Sequence, residues 1–273
     1  MSMKLEAIAE QKDVVRGEQP KIIVCDIEVS PILSWTYNAY EGNAIRIEQD
    51  PKIISFAWQE LGKSKIHVVT LADLSYSGNR FSIDDKKITK ALHEVLDSSD
   101  IVVGHNWDNF DMKTANARFL YYGMAPIPPH KTVDTLKKAR LHFKMPKNTL
   151  DEIYRYIFGK EGKTKVKHSD VLWDCLDHNN PKAWVAMKRY NARDVEITRD
   201  VYLAMRPFYK AHPNLSLYTR KDRVCPKCQS ERAHRRGKEW YVSGFSWKYQ
   251  CVACHTWYRG ELQRDGVEKV TTK

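Results

Sequence analysis

Ile22-Ile23-Val24-Cys25-Asp26-Ile27-Glu28-Val29 is the stretch on which the reading of this chain turns. Six of its eight residues are apolar and most are β-branched, and Ser30-Pro31 breaks the run, so the segment reads as a β-strand. Its unbroken apolar start predicts a central strand buried on both faces. Alternate residues of a strand project to one side, which places the carboxylates of Asp26 and Glu28 together. They could be acids at a solvated strand end. Beside so apolar a run, however, paired carboxylates are costly unless a cation offsets them.

Further along, residues 52–61 and 65–71 read as two strands joined by a tight connection, hence an antiparallel pair. Ile88, Ala91, Leu92 and Val95 recur at helical spacing within 85–96. A short buried strand at 101–103 leads into a helix over 109–122, stopped by Gly123 and Pro126. A strand at 131–135, a helix at 150–158 ended by Gly159, and a long helix at 182–205 complete the pattern. The expected fold is an α/β domain over 21–210, a mixed sheet flanked by helices. It follows a polar leader, 1–20, and a linker near 211–219 separates it from a smaller module over 220–273.

Two more acidic elements lie in this frame. Gly104-His105-Asn106-Trp107-Asp108-Asn109-Phe110-Asp111 runs off a strand into a helix, with Asp111 in the first helical turn. The plain alternative makes Asp108 or Asn109 an N-cap and Asp111 an acid favoured by the helix dipole. Tyr190-Asn191-Ala192-Arg193-Asp194 places a phenol and a carboxylate on one helix face. Alone, they could be a core-edge aromatic and a surface ion-pair partner.

Asp-x-Glu on a first strand, Asn-x-x-x-Phe-Asp at a strand-to-helix junction and Tyr-x-x-x-Asp on a late helix, in that order, resemble the DEDD superfamily of 3′-to-5′ exonucleases in its tyrosine-bearing DEDDy branch. The resemblance spans roughly residues 21–207, and Val133-Asp134-Thr135-Leu136 resembles phage-borne members. It implies an RNase H-like fold and two Mg²⁺ or Mn²⁺ ions, which suit hard oxygen ligands. It further implies that Asp26 bridges both ions, Glu28 and Asp194 complete the site beside the attacking water, Asp111 serves the second ion through water, and Tyr190 orients the water. Asp134 could support the site or simply cap a helix. Val29-Ser30-Pro31 departs from the Thr-Thr or Thr-Ser-Gly of many proofreading relatives, at the place where a 3′-terminal nucleotide is held.

Cys225-Pro-Lys-Cys228 and Cys251-Val-Ala-Cys254, 22 residues apart, have the spacing of two zinc knuckles sharing one tetrahedral ion. Four thiolates fill the shell, so one structural Zn²⁺ is expected, in a segment resembling a zinc ribbon. Cys25 and Cys175 remain as buried apolar residues. From His212 to Lys273 there are 13 Lys+Arg and 6 Asp+Glu, a surplus of +7 within the chain's +11. Arg232, Arg235, Arg236 and Lys238, interleaved with Trp240 and Trp247, form a candidate nucleic-acid surface. The same aromatics could instead supply the module's small core. Lys160 to His168 is a basic loop suited either to phosphate contacts or to plain solvation.

A basic chain with 42% hydrophobic residues is folded and suggests a polyanionic partner. No signal-peptide core is apparent, and no run approaches the roughly 20 apolar residues of a membrane span, so a cytoplasmic setting without a membrane partner is expected. The resemblance points to 3′ ends of single-stranded DNA, with any replication or repair partner unspecified. Two alternatives stay open: a structure-selective endonuclease on the same fold, and a non-catalytic nucleic-acid-binding adaptor.

Overall fold

The computed structural model describes residues 20–38, 43–74, 76–159, 168–219 and 224–264. The leader over 1–19 and the basic loop over 160–167 lie outside the described residues. The chain divides into two compact units, one built on residues 21–202 and the other containing residues 203–264.

The first unit is organised by β1 (Ile22–Val29), which is followed by a small hairpin of β2 (Leu33–Trp35) and β3 (Arg46–Gln49). Then come β4 (Ile53–Glu60), β5 (Ile66–Thr70), α1 (Lys86–Asp97), β6 (Ile101–Gly104), α2 (Asp111–Tyr121) and β7 (Lys131–Asp134). Four helices follow: α3 (Thr135–His142), α4 (Leu150–Phe158), α5 (His168–His178) and α6 (Pro181–Met205). The main sheet has the order β5-β4-β1-β6-β7. β4 runs antiparallel to β1 and to β5, while β6 is parallel to both β1 and β7. This is the expected mixed sheet with flanking helices.

Strand periodicity assigns the two faces of β1. Ile23, Cys25 and Ile27 join Phe56 and Trp58 of β4 in a core that also takes Ile88, Leu92 and Val95 from α1 and Phe119 from α2. Each fully buried side chain of this kind is worth about 1.5–3 kcal/mol. Val24, Asp26 and Glu28 point the other way, towards α6. That helix turns a stripe inward: Met187, Asn191, Val195, Thr198 and Tyr202, spaced by three or four residues, are all wholly buried. Arg199 Nη1 donates to Gln59 Oε1 of β4 at 3.0 Å, holding α6 to the sheet further along.

One buried ion pair ties α1 to α2. Asp85, just ahead of α1, accepts from Arg118 Nε at 2.8 Å, from Tyr122 Oη at 2.6 Å and from the Ile53 amide at 3.0 Å. All the oxygen capacity of this buried carboxylate is thus directed at donors, which is the condition under which such a charge is tolerated.

Several local expectations are corrected. The β2–β3 hairpin was not foreseen, and neither α3 nor α5 was resolved as a helix of its own. Neither Asp108 nor Asn109 is the N-cap of α2: the helix starts at Asp111, with Phe110 in the cap position. Gly159 does end α4, in the left-handed conformation that a glycine tolerates.

In the second unit, β8 (Ala233–Tyr241), β9 (Gly244–Cys251) and β10 (Trp257–Gln263) form an antiparallel sheet in the order β10-β9-β8.

Candidate active site and cysteine centre

β1 and α6 supply three carboxylates to one place. One oxygen from each of Asp26, Glu28 and Asp194 lies within 4.8 Å of the others. Oxygens on opposite sides of an octahedral Mg²⁺ stand about 4 Å apart, so the group is close to the span of a shared ion. Asp194 is buried, and Asp26 and Glu28 are half-buried. Tyr190 lies one helical turn before Asp194 on α6, as its spacing implied.

Asp111 is brought beside this triad but not into it. β6 pairs with β1 only from Ile22 to Val24 and ends at Gly104, so the Ile27 amide beyond that point has no partner on β6. Asp111 Oδ1 accepts from it at 3.1 Å, between the two β1 carboxylates. Burial, reinforced by the negative charges of Glu28 and Asp134, pushes the Asp111 carboxyl up to about 7 despite that hydrogen bond.

Asp134 acts as a cap. Its Oδ1 accepts from the amides of Leu136 and Lys137 at the start of α3 and from that of Asn106, while Oδ2 accepts from the Asp108 amide. Asn106 adopts φ 62, and His105 Nδ1 is 2.9 Å from Thr135 Oγ1. These bonds fix the loop between β6 and α2, and with it the position of Asp111.

Sequence reasoning assigned no role to Asn191, which is wholly buried within hydrogen-bonding distance of Asp26, or to Ser55 behind it. Only the three-dimensional pairing of β4 with α6 reveals them.

In the second unit the four cysteine sulfurs converge, with one ligand atom from each within 4.8 Å of the others. Cys225 Sγ and Cys254 Sγ are 3.6 Å apart, as are Cys228 Sγ and Cys251 Sγ. That is far beyond a disulfide bond, and near the edge of about 3.8 Å that four sulfurs would make around Zn²⁺ at 2.3 Å. The two knuckles repeat one geometry. Gln229 and His255, each following the second cysteine of its pair, take φ of 60 and 58 and donate to the carbonyls of Cys225 and Cys251. The cysteine donor set fits a four-sulfur zinc site and leaves no position open for a substrate.

The bulge between Arg235 and Lys238, where Gly237 adopts φ 108, turns these two cations to one face although they are three residues apart. Arg235 lies 4.1 Å from the centre of the Trp247 ring, and Lys238 Nζ lies 3.9 Å from Phe245 and 5.0 Å from both Trp240 and Trp247. Trp240 remains 66% exposed. Arg232 precedes β8 and Arg236 sits in the bulge, both outside this ladder of cations and rings.

A mixed sheet flanked by helices, with clustered carboxylates on its central strand and a helix crossing it, defines an RNase H-like protein with a nuclease-type site. The chain belongs to the RNase_H superfamily, whose RNase_H_2 model matches residues 59–206. That match begins at the end of β4, so Asp26 and Glu28 precede it. The chain is 25% identical over 174 residues to a DNA polymerase of Methanocaldococcus jannaschii, covering 55% of the chain and 10% of that protein. It is also 26% identical over 121 residues to a DNA polymerase III PolC-type of Ureaplasma parvum, covering 43% of the chain and 8% of that protein. It thus spans a tenth or less of these curated relatives. Among solved structures, the family B DNA polymerase of the archaeon Pyrobaculum calidifontis has the same fold over 83% of this chain and 32% of its own, with a TM-score of 0.50 and 15% identity.

Proposed function

We propose that residues 21–210 form a two-metal-ion 3′-to-5′ exonuclease of the DEDDy type, acting on single-stranded DNA ends. Residues 220–273 would be a zinc ribbon that adds grip on the strand. The observation that carries this reading is the convergence of Asp26, Glu28 and Asp194, with Asp111 bonded to the strand between the first two. Three hard anionic ligands on one face suit Mg²⁺ or Mn²⁺. That the curated relatives are DNA polymerases supports DNA as the substrate.

Divalent ions held here would supply an activated water at neutral pH and neutralise the charge of the departing oxygen. The chain's own residues divide the remaining work. Asp26, central on β1, would hold the ions together with Glu28 and Asp194, whose oxygens converge with its own. Asp111, drawn towards protonation by its burial, would be kept ionised by a nearby cation and would help to hold it from beside the triad. The Tyr190 phenol, whose ordinary pKa is about 10, would direct the water by a hydrogen bond and leave its proton to another acceptor.

A time course on 3′- and 5′-labelled single strands of DNA and RNA, with Mg²⁺, Mn²⁺ or EDTA, tests the reading in wild type and Asp26→Ala. The expected result is a ladder shortening from the 3′ end of DNA, abolished by EDTA and by the substitution, with strand binding retained. Cleavage of covalently closed circles would favour an endonuclease, and absence of metal-dependent products an adaptor.

A further inference from the structure

Behind Asp26, α6 and β4 share a buried polar pair that the chemistry above does not use. Asn191 of α6 is wholly buried, three residues before Asp194, and its Nδ2 donates to Asp26 Oδ2 at 2.7 Å. The same nitrogen is 3.4 Å from the backbone carbonyl of Asp26. Its Oδ1 accepts from Ser55 Oγ at 2.8 Å. The amide orientation follows from the partners: both Asp26 atoms are acceptors, so the nitrogen must face them and the oxygen must face the one hydroxyl that can donate.

Ser55 is placed for this by register. It is the cross-strand partner of Glu28, and paired residues of antiparallel strands project to the same side. It stands among Ile53, Ile54, Phe56, Ala57 and Trp58, all buried and apolar. A hydroxyl and a carboxamide in such surroundings are unfavourable unless fully bonded, and two apolar side chains of similar size could fill the space. What the pair achieves that apolar residues cannot is a directed N–H at one oxygen of Asp26. With Oδ2 tethered, the rotation of the carboxylate is restrained next to the place where its oxygens converge with those of Glu28 and Asp194.

We propose that Asn191 and Ser55 are positioning residues that hold the Asp26 carboxylate in its metal-binding orientation, Asn191 acting directly and Ser55 through Asn191. The proposal rests on the reading of Asp26 as a metal ligand. Hydrogen-bond partners behind a ligand commonly set its affinity, and their loss lowers it about 10- to 100-fold.

The test is Mn²⁺ affinity, measured by electron paramagnetic resonance of the free ion on the full chain, for wild type, Asp26→Ala, Asn191→Leu, Ser55→Ala and the double variant. Circular dichroism and urea midpoints monitor the fold. Asn191→Leu should weaken Mn²⁺ binding about 10-fold or more. Ser55→Ala, which removes one hydroxyl, should weaken it several-fold in a folded protein, and the double variant should bind no worse than Asn191→Leu alone, because the two residues act in series. A merely structural role would lower the urea midpoint and leave Mn²⁺ affinity unchanged. Affinity that depends on Asp26 but stays within twofold of wild type in Ser55→Ala and in any folded Asn191→Leu, or losses that add, would overturn the pair alone. Affinity indifferent to Asp26 would overturn both the pair and the metal site beneath it.

Discussion

Replacing Asp111 by Asn separates two roles of one side chain. Asp111 Oδ1 accepts the Ile27 amide at 3.1 Å, and an asparagine oxygen in the same place keeps that bond. What the substitution removes is a buried charge. Burial, then the nearby carboxylates of Glu28 and Asp134, push the Asp111 carboxyl up to about 7, against about 3.9 for an exposed aspartate. A folded pKa above the unfolded one costs nothing below about pH 4, where both states are protonated; the cost grows with pH and levels off above about pH 7, once the folded state ionises too. For a rigid site this linkage amounts to about 2 kcal/mol at pH 5.5 and about 4 kcal/mol at pH 8, both upper bounds. Asparagine carries no such term. In EDTA, urea unfolding should therefore show Asp111→Asn gaining on wild type by up to about 2 kcal/mol between pH 5.5 and pH 8. Mg²⁺ at pH 8 should narrow that difference by stabilising wild type more. A difference between the proteins that stays constant with pH would refute the argument, because the Ile27 amide would then fully compensate the ionised carboxylate.

Arg118→Met should cost about 3–5 kcal/mol in urea unfolding, since it strands Asp85 in the core with neither of its guanidinium bonds, and a loss well under 1 kcal/mol would mean that water reaches the site. If the four converging sulfurs hold zinc, a chelator should abolish a calorimetric transition of the second unit and leave that of the first in place, because those sulfurs form the module's small buried cluster; loss of both transitions together would count against it. Trp240→Ala should weaken single-stranded DNA binding, read by fluorescence anisotropy, by about 1–3 kcal/mol, while Trp247→Ala should cost less because Arg235 already covers a face of that ring. Equal losses from both rings would refute that assignment.

What could be read in advance was whatever rests on a local period. Asp26 and Glu28 share a face because a strand repeats every two residues, and Tyr190 and Asp194 because a helix nearly repeats every four. The knuckle spacing likewise anticipated the convergence of the four sulfurs. The β2–β3 hairpin escaped because its strands are only three and four residues long and their alternation serves no core: Trp35, Ile45 and Ile47 are all exposed, and the hairpin is tied by local bonds such as Trp35 Nε1 to Glu48 Oε1 at 2.8 Å. Arg235, Lys238, Trp240 and Trp247 are singled out by the sequence along with Arg232 and Arg236, but not which of the cations share a face, since a bulge shifts the period by one residue and glycine alone does not announce where.

The residues that stayed illegible share a deeper cause. Asn191 meets Ser55 across 136 positions of sequence, and Asp111 meets Ile27 across 84. Neither contact follows from propensity: one depends on how α6 lies over β4, the other on where β6 stops along β1. Because Asn191 also donates to Asp26, both polar side chains reach β1 at or beside a carboxylate, and the strand that reads most clearly as buried also carries buried polar contacts. An apolar run specifies the sheet and thereby creates the low-polarity setting in which carboxylates are unfavourable without a cation. If the triad holds a metal as proposed, the strand that determines the fold also makes the carboxylates depend on that ion, and a substitution behind them should register in ion affinity before it registers in stability.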